Sequence, residues 1–81
     1  MYQLKMLDRI DGLIRRKATG RAIELSDRLK VSERTVYNLL NTLRNLGAEI
    51  EYDKKVVSYV YTNNITFDFN ISKLNKKIKE I

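Results

Sequence analysis

The sequence contains neither cysteine nor histidine. Without cysteine the chain has no disulfides and no thiolate nucleophile, and without histidine it has no imidazole base. The thiolate and imidazole ligands that zinc prefers are missing with them. These absences exclude several large classes of enzyme and metalloprotein, and we expect no metal and no cofactor.

Long hydrophobic runs and proline are missing as well. No apolar run approaches the roughly 18 residues that a membrane-spanning helix needs. The opening residues, MYQLKMLDRI, lack the uninterrupted apolar stretch of a signal peptide. We therefore expect a cytoplasmic protein that does not contact a membrane.

Acidic residues are the minority among the charges. Sixteen lysines and arginines stand against ten aspartates and glutamates, giving a net charge of +6. This balance indicates an anionic partner, although simple solubility is the plainer explanation. With 81 residues the chain makes one domain with a small core, which an oligomer would help to stabilise.

Apolar residues at helical spacing predict three helices, over residues 2–17, 21–29 and 32–46. Ser32 is a candidate N-cap of the third helix and Gly47 its C-cap residue. The predicted inward positions on the three helices are Leu4, Leu7, Ile10, Leu13, Ile14, Ala22, Ile23, Leu25, Leu29, Val36, Leu40, Leu43 and Leu46. Leu39 borders the apolar face of the third helix, and the pattern leaves open whether its side chain packs over the hairpin or contacts another subunit.

From Ala48 onward the apolar period changes to two, which predicts a β-hairpin with a charged tip at residues 53–56. Its apolar positions are Ile50, Tyr52, Val57, Tyr59 and Tyr61. Alternation over residues 65–71 predicts a further strand, and Ser72 is placed to cap a final short helix. The predicted fold is mainly α with a small β-hairpin, divided into a domain at 1–62 and an extension at 63–81.

Three helices followed by a hairpin is the order of a winged helix-turn-helix domain. The chain resembles the N-terminal modules of DeoR-type bacterial transcriptional regulators over residues 4–61. The resemblance is carried by LDRI at 7–10, ELSDRL at 24–29, VSERTV at 31–36 and LRNLGAEI at 43–50. It implies a bacterial or phage-like protein that associates with the nucleoid when bound. Members often carry an Arg-Asp pair where this chain has Asn38 and Leu39, and larger members add a sensor domain after the wing.

The resemblance implies that the third helix enters the major groove and that the wing touches the neighbouring backbone. The base-reading positions implied in this way are Ser32, Arg34, Thr35, Tyr37 and Asn38, and the wing contacts are Lys54 and Lys55. Asn41 and Arg44 lie further along the helix, where they can reach a phosphate.

The side chains suit these roles. Arg34 can donate two hydrogen bonds to guanine and Asn38 can pair with adenine, whereas the alternatives are an ion pair with a nearby glutamate and a solvated helix face. Tyr37 can contact a phosphate or a thymine methyl, or pack against the turn. Ser32 and Thr35 can bind phosphate from the helix N-terminus, and the alternative for Ser32 is a role as the cap alone.

We therefore predict a sequence-specific, double-stranded DNA-binding transcriptional regulator, acting as a homodimer through residues 65–81 and without a small-molecule effector. The apolar residues of that segment can instead fold back on their own domain. The alternatives are a winged-helix protein-interaction module and a nonspecific nucleic-acid-binding protein. An enzyme is not expected, because the carboxylate pairs Asp8 with Asp11 and Glu49 with Glu51 lack a histidine or lysine partner in an evident cleft.

Overall fold

A computed structural model describes residues 2–67. Within that range it contains α1 (Tyr2–Arg15), α2 (Ala22–Leu29), α3 (Glu33–Asn45), β1 (Ile50–Asp53) and β2 (Ser58–Tyr61). The two strands form an antiparallel hairpin that pairs Ile50 with Tyr61 and Asp53 with Ser58. The predicted class, a small α+β winged helix-turn-helix, is confirmed.

All three helices end in the same backbone motif. At each end, one amide bonds to a carbonyl five residues earlier and the preceding amide bonds to a carbonyl three residues earlier. The residue at the turn has positive φ: 55° at Lys17, 57° at Lys30 and 112° at Gly47. Gly47 therefore ends α3 in the left-handed conformation, one residue after the C-cap residue Leu46 and not as the C-cap itself. The first helix, α1, ends at Arg15 rather than at 17, because Lys17 leaves the helical conformation.

The core lies where the two helix-turn-helix helices meet α1 and the hairpin. In α2 the buried positions are Ala22, Leu25, Ser26 and Leu29, and in α3 they are Val36, Leu39, Leu40 and Leu43. Both sets follow the i, i+3, i+4, i+7 spacing of a single helix face. Leu39 is thus a core residue and not an external contact.

Two predicted core residues are exposed instead. Ile23 is 54% exposed and Leu46 is 52% exposed. Ile23 lies one position off the buried stripe of α2, and Leu46 is the C-cap residue, where the helical register ends. The prediction that both face inward was wrong, because Ile23 is rotated about 100° from Ala22 around the helix and α3 ends before Leu46.

The hairpin turn is displaced by one residue from the prediction. Asp53 still pairs with Ser58, so the tip comprises residues 54–57 rather than 53–56. Val57, predicted to face inward from a strand, is half exposed and has a φ of 53°. The side chain of Asp53 accepts a hydrogen bond from the Lys55 amide at 2.8 Å, which stabilises the turn.

After β2 the chain folds back over its own domain. The side-chain Nδ2 of Asn63 donates to the Gly47 carbonyl at 2.9 Å, and its Oδ1 accepts from the Glu49 backbone amide at 2.9 Å. Ile65 and Phe67 then pack against the core. Residues 65–67 are not part of the sheet, so this portion of the predicted strand is not formed. Its remainder, the final helix and most of the proposed dimerisation segment lie outside the described residues.

Candidate nucleic-acid interface

The N-terminus of α3 is built around Ser32. Its Oγ accepts a hydrogen bond from the Thr35 amide at 3.1 Å, and the two hydroxyl oxygens lie 3.0 Å apart. Glu33 adds a carboxylate in the first turn, which favours the helix dipole. Ser32 therefore serves as the N-cap, and its hydroxyl is already engaged within the protein.

One face of α3 is left to solvent. Arg34, Tyr37, Asn38 and Asn41 are exposed on it, and Thr35 is half-buried at its edge. Within residues 2–67 the two salt bridges join Asp11 to Arg15 and Arg21 to Glu24, so Arg34 takes part in neither. The glutamate pairing considered above for Arg34 is thus not formed, and its guanidinium is available to a partner.

Tyr37 connects this face to the hairpin. Its hydroxyl interacts with that of Tyr59, whose ring meets Tyr52 edge-on at a centroid distance of 5.2 Å. Burial first, and then the neighbouring Tyr37 hydroxyl, raise the pKa of Tyr59 above its ordinary value. The three tyrosines line a cleft of about 290 Å³ between α2, α3 and the wing, together with Arg21, Ala22, Ile23 and Glu33.

Tyr52 and Tyr59 were missed as members of this surface. Their alternation marked them as core positions of the hairpin, yet both are only half-buried. Their hydroxyl groups were the signal in the sequence that they are not fully buried. A tyrosine hydroxyl needs a hydrogen-bond partner, and at the protein surface water can serve as that partner. The exposed face of α3 therefore continues into an aromatic surface on the wing.

Arg44 has a structural role in addition to the predicted one. Its Nη2 donates to the Ile50 carbonyl at 3.1 Å and its Nη1 donates to Asn41 Oδ1 at 3.2 Å. These bonds tie the last turn of α3 to the first residue of β1. Arg44 and Asn41 remain exposed, but their first contribution is to hold the helix and the wing together.

The tip of the wing exposes two charges and two apolar side chains. Lys54 and Lys55 are exposed, as predicted, and Val56 and Val57 follow them with 41% and 48% exposure. Neither lysine takes part in a salt bridge within the described range. The tip thus presents positive charge next to an apolar edge.

A buried hydroxyl pair anchors the wing to the chain between α1 and α2. The Thr19 hydroxyl accepts from the Tyr59 amide at 2.9 Å and donates to the Gly20 carbonyl at 2.8 Å. The Ser58 hydroxyl accepts from the Thr19 amide at 3.2 Å, and both side chains are fully buried. Thr19 thus links the segment between α1 and α2 to β2 through hydroxyl hydrogen bonds, and residues 18–20 form no strand.

A second link joins α1 to β2. Asp11 accepts from the Tyr61 hydroxyl at 2.6 Å and from Arg15 Nε at 3.0 Å. Arg15 also lies over the Tyr61 ring at 4.8 Å and donates to the Ile65 carbonyl at 2.7 Å. Burial, followed by the hydrogen bond to Asp11, raises the pKa of Tyr61. Asp11 is thus a structural carboxylate paired with Arg15 and Tyr61.

The described part of the chain holds no group of three or more acidic, cysteine or histidine residues that would bind a metal ion. No helix between residues 2 and 67 is long and apolar enough to cross a membrane.

The three helices, the hairpin and the exposed face of α3 define a small winged helix-turn-helix DNA-binding domain. The chain belongs to the HTH domain family, whose model matches residues 13–59, more than half of its length. It is therefore a DNA-binding protein of the regulatory kind with double-stranded DNA as its partner, and such domains are typical of regulators without enzymatic activity. No curated protein matches the chain, and no solved structure matches it.

Proposed function

We propose that this protein is a sequence-specific transcriptional regulator whose α3 reads base edges in the major groove while the wing contacts the adjacent backbone. The observation that carries the proposal is the outward face of α3, where Arg34 and Asn38 are exposed and make no side-chain hydrogen bond within residues 2–67. An arginine fork and an asparagine amide on one helix face are the groups that read guanine and adenine.

Three further groups complete the proposed interface. Thr35 and Tyr37 supply hydroxyls to the phosphates on either side of the helix, and Lys54 with Lys55 neutralise the backbone at the wing. Ser32 contributes through the helix N-terminus that it caps, where free amides favour an anion. Asn41 and Arg44 lie beyond the base-reading residues and reach a phosphate at most.

Selection from a randomised duplex library at near-physiological salt tests the proposal. An enriched motif supports base reading by α3, and binding without enrichment favours a nonspecific nucleic-acid-binding protein. No retention even at low salt favours a protein-interaction module. The selection identifies the preferred sequence on which the variants below are measured.

Arg34 is the sharpest variant in this interface. Arg34→Lys keeps the charge but removes the two-bond fork, so we expect discrimination at one base pair to fall by about 1–3 kcal/mol with little loss on other sequences. Lys5→Ala, an exposed cation of α1, is the control for charge alone. Equal weakening on all sequences by Arg34→Lys would contradict direct base reading.

The proposed assembly is a homodimer through residues 65–81. Its support is the apolar content of that segment, but Ile65 and Phe67 already pack on their own domain. The proposal therefore depends on Phe69, Ile71, Leu74, Ile78 and Ile81. Sedimentation equilibrium of the full chain and of the Leu74→Glu, Ile78→Glu variant tests it. A dimer that dissociates in the variant, together with half-sites about ten base pairs apart, is the expected outcome.

A further inference from the structure

Three arginines converge on a cleft that the proposed interface does not use. Arg9 and Arg16 on α1 and Arg28 near the end of α2 line it, with Leu13 between them, and its volume is about 320 Å³. None of these residues lies on α3 or on the wing, and the cleft shares no lining residue with the tyrosine cleft. We call it the arginine cleft.

No acidic residue lines the arginine cleft, and none of its arginines belongs to a salt bridge within residues 2–67. The Glu24 carboxylate attracts Arg28 electrostatically but forms no ion pair with it. Glu24, one turn before Arg28, is held by Arg21 instead, accepting from its amide at 2.7 Å and from its Nε at 3.2 Å. Like charges that face a common space without a counterion repel each other, so a bound anion would stabilise the cleft.

Contacts within the protein place the guanidinium groups of Arg9 and Arg16. Arg9 Nη2 donates to the Arg28 carbonyl at 3.3 Å, which links α1 to the end of α2. The Arg16 guanidinium lies along α1 over Gly12, where an added Cβ would be 3.7 Å from Nη2. The glycine thus leaves α1 open beneath Arg16 and lets its charged group rest against the helix.

From this geometry we infer that the arginine cleft binds a phosphate group. Guanidinium groups present planar pairs of N–H donors that fit the oxygens of a phosphate, and several of them can share its charge. The phosphate comes either from a nucleic-acid backbone or from a free phosphate ion. This inference goes beyond the proposed function, because it does not require α3 to read bases.

Side-chain NMR of the arginine Nε–H groups, titrated with inorganic phosphate at constant ionic strength, tests the inference without DNA. We expect saturable shifts at Arg9, Arg16 and Arg28, and Arg16→Gln should weaken the apparent affinity about tenfold. Lys30→Gln removes the same charge from the end of α2 outside the cleft and should leave the affinity unchanged. Shifts that do not saturate, or that are equal at Arg21, would overturn the site.

The source of the phosphate is decided by repeating the measurement with a duplex. If the cleft binds a nucleic-acid backbone, the same three signals shift with duplex, and Arg16→Gln lowers the salt dependence of duplex binding. If it binds free phosphate, the signals respond to inorganic phosphate and not to duplex. Both outcomes support the site, and failure of base reading by α3 would leave the phosphate titration unaffected.

Discussion

At the residue scale, the Thr19 hydroxyl accepts the backbone hydrogen bond that a neighbouring strand would accept in a regular sheet. It satisfies the Tyr59 amide at the start of β2, where no backbone partner is available, and it is fully buried. An unpaired amide in such a place costs free energy because it has lost its water without gaining a protein acceptor. Thr19 is therefore one of the side chains that fix the position of the wing relative to the helices.

Thr19→Val keeps the shape of this side chain and removes its hydrogen bonds. We expect the free energy of unfolding to fall by about 1–3 kcal/mol, measured by urea denaturation. Thr66→Val, at an exposed position, is the matched control and should change little. Equal stabilities of the two variants would show that water or a shifted backbone replaces the Thr19 hydroxyl.

Val57, at the tip of the wing, has a strained backbone conformation. A β-branched side chain at a φ of 53° is strained, because its Cβ crowds the backbone in the left-handed region. We expect Val57→Gly to stabilise the protein by about 1 kcal/mol in the same denaturation assay. Val56→Gly, next to it but without positive φ, should be neutral or destabilising. A stabilised Val56→Gly would mean that the wing tip is relaxed by glycine in general.

At the scale of elements, the sequence was sufficient where periodicity decides the structure. The buried faces of α2 and α3 follow helical spacing, and the cap at Ser32 and the turn at Gly47 carry their own local signals. The contacts that orient the elements were not predictable in this way. Asp11 with Tyr61 and Thr19 with Ser58 are separated by 50 and 39 residues, and no local pattern relates such partners.

In the candidate site, too, the local pattern was predictable and the contacts between distant residues were not. The exposed polar face of α3 was readable from the sequence, because it is the complement of the apolar stripe. The tyrosine cleft and the second role of Arg44 depend on where the wing packs, and the missing carboxylate in the arginine cleft depends on Arg21 capturing Glu24. Each of these features depends on tertiary contacts. The residues that form them are polar or charged, and from the sequence such residues are expected to be exposed to solvent.

The link between α1 and β2 has a pH dependence. Burial and the bond to Asp11 keep the Tyr61 hydroxyl protonated, so its pKa is higher in the folded than in the unfolded protein. Its contribution is fully present below the unfolded pKa, near 10, and is lost as the pH rises towards the folded pKa. We expect stability to decline above about pH 10 and Tyr61→Phe to decline less steeply in parallel urea titrations. Parallel curves for the two proteins would assign the alkaline loss to other groups.

At the scale of the whole molecule, α3 and the wing form a single surface. Arg44 joins the end of α3 to Ile50, Tyr37 meets Tyr59 on β2, and Thr19 fixes the other side of that strand. In the proposed interface, helix and wing would therefore approach a duplex with a fixed separation. The base-reading and backbone contacts of the proposed interface are expected to form together, and weakening one should not relocate the other.

Salt dependence separates these two kinds of contact. A lysine that neutralises one phosphate releases condensed counterions, so each such contact adds about 0.9 to the slope of log K against log salt. We expect Lys54→Ala and Lys55→Ala each to lower that slope by about one and to weaken binding equally on preferred and random duplexes. Fluorescence anisotropy over a salt series measures both quantities.

Arg34→Lys supplies the contrast in the same assay. It should leave the slope nearly unchanged and reduce only the preference for the selected sequence, because the charge remains while the fork is lost. If the lysine variants instead bind random duplex normally and lose only the preferred sequence, the wing reads bases. If they alter neither slope nor affinity, the wing does not touch the duplex, and the positive charge at its tip serves solubility alone.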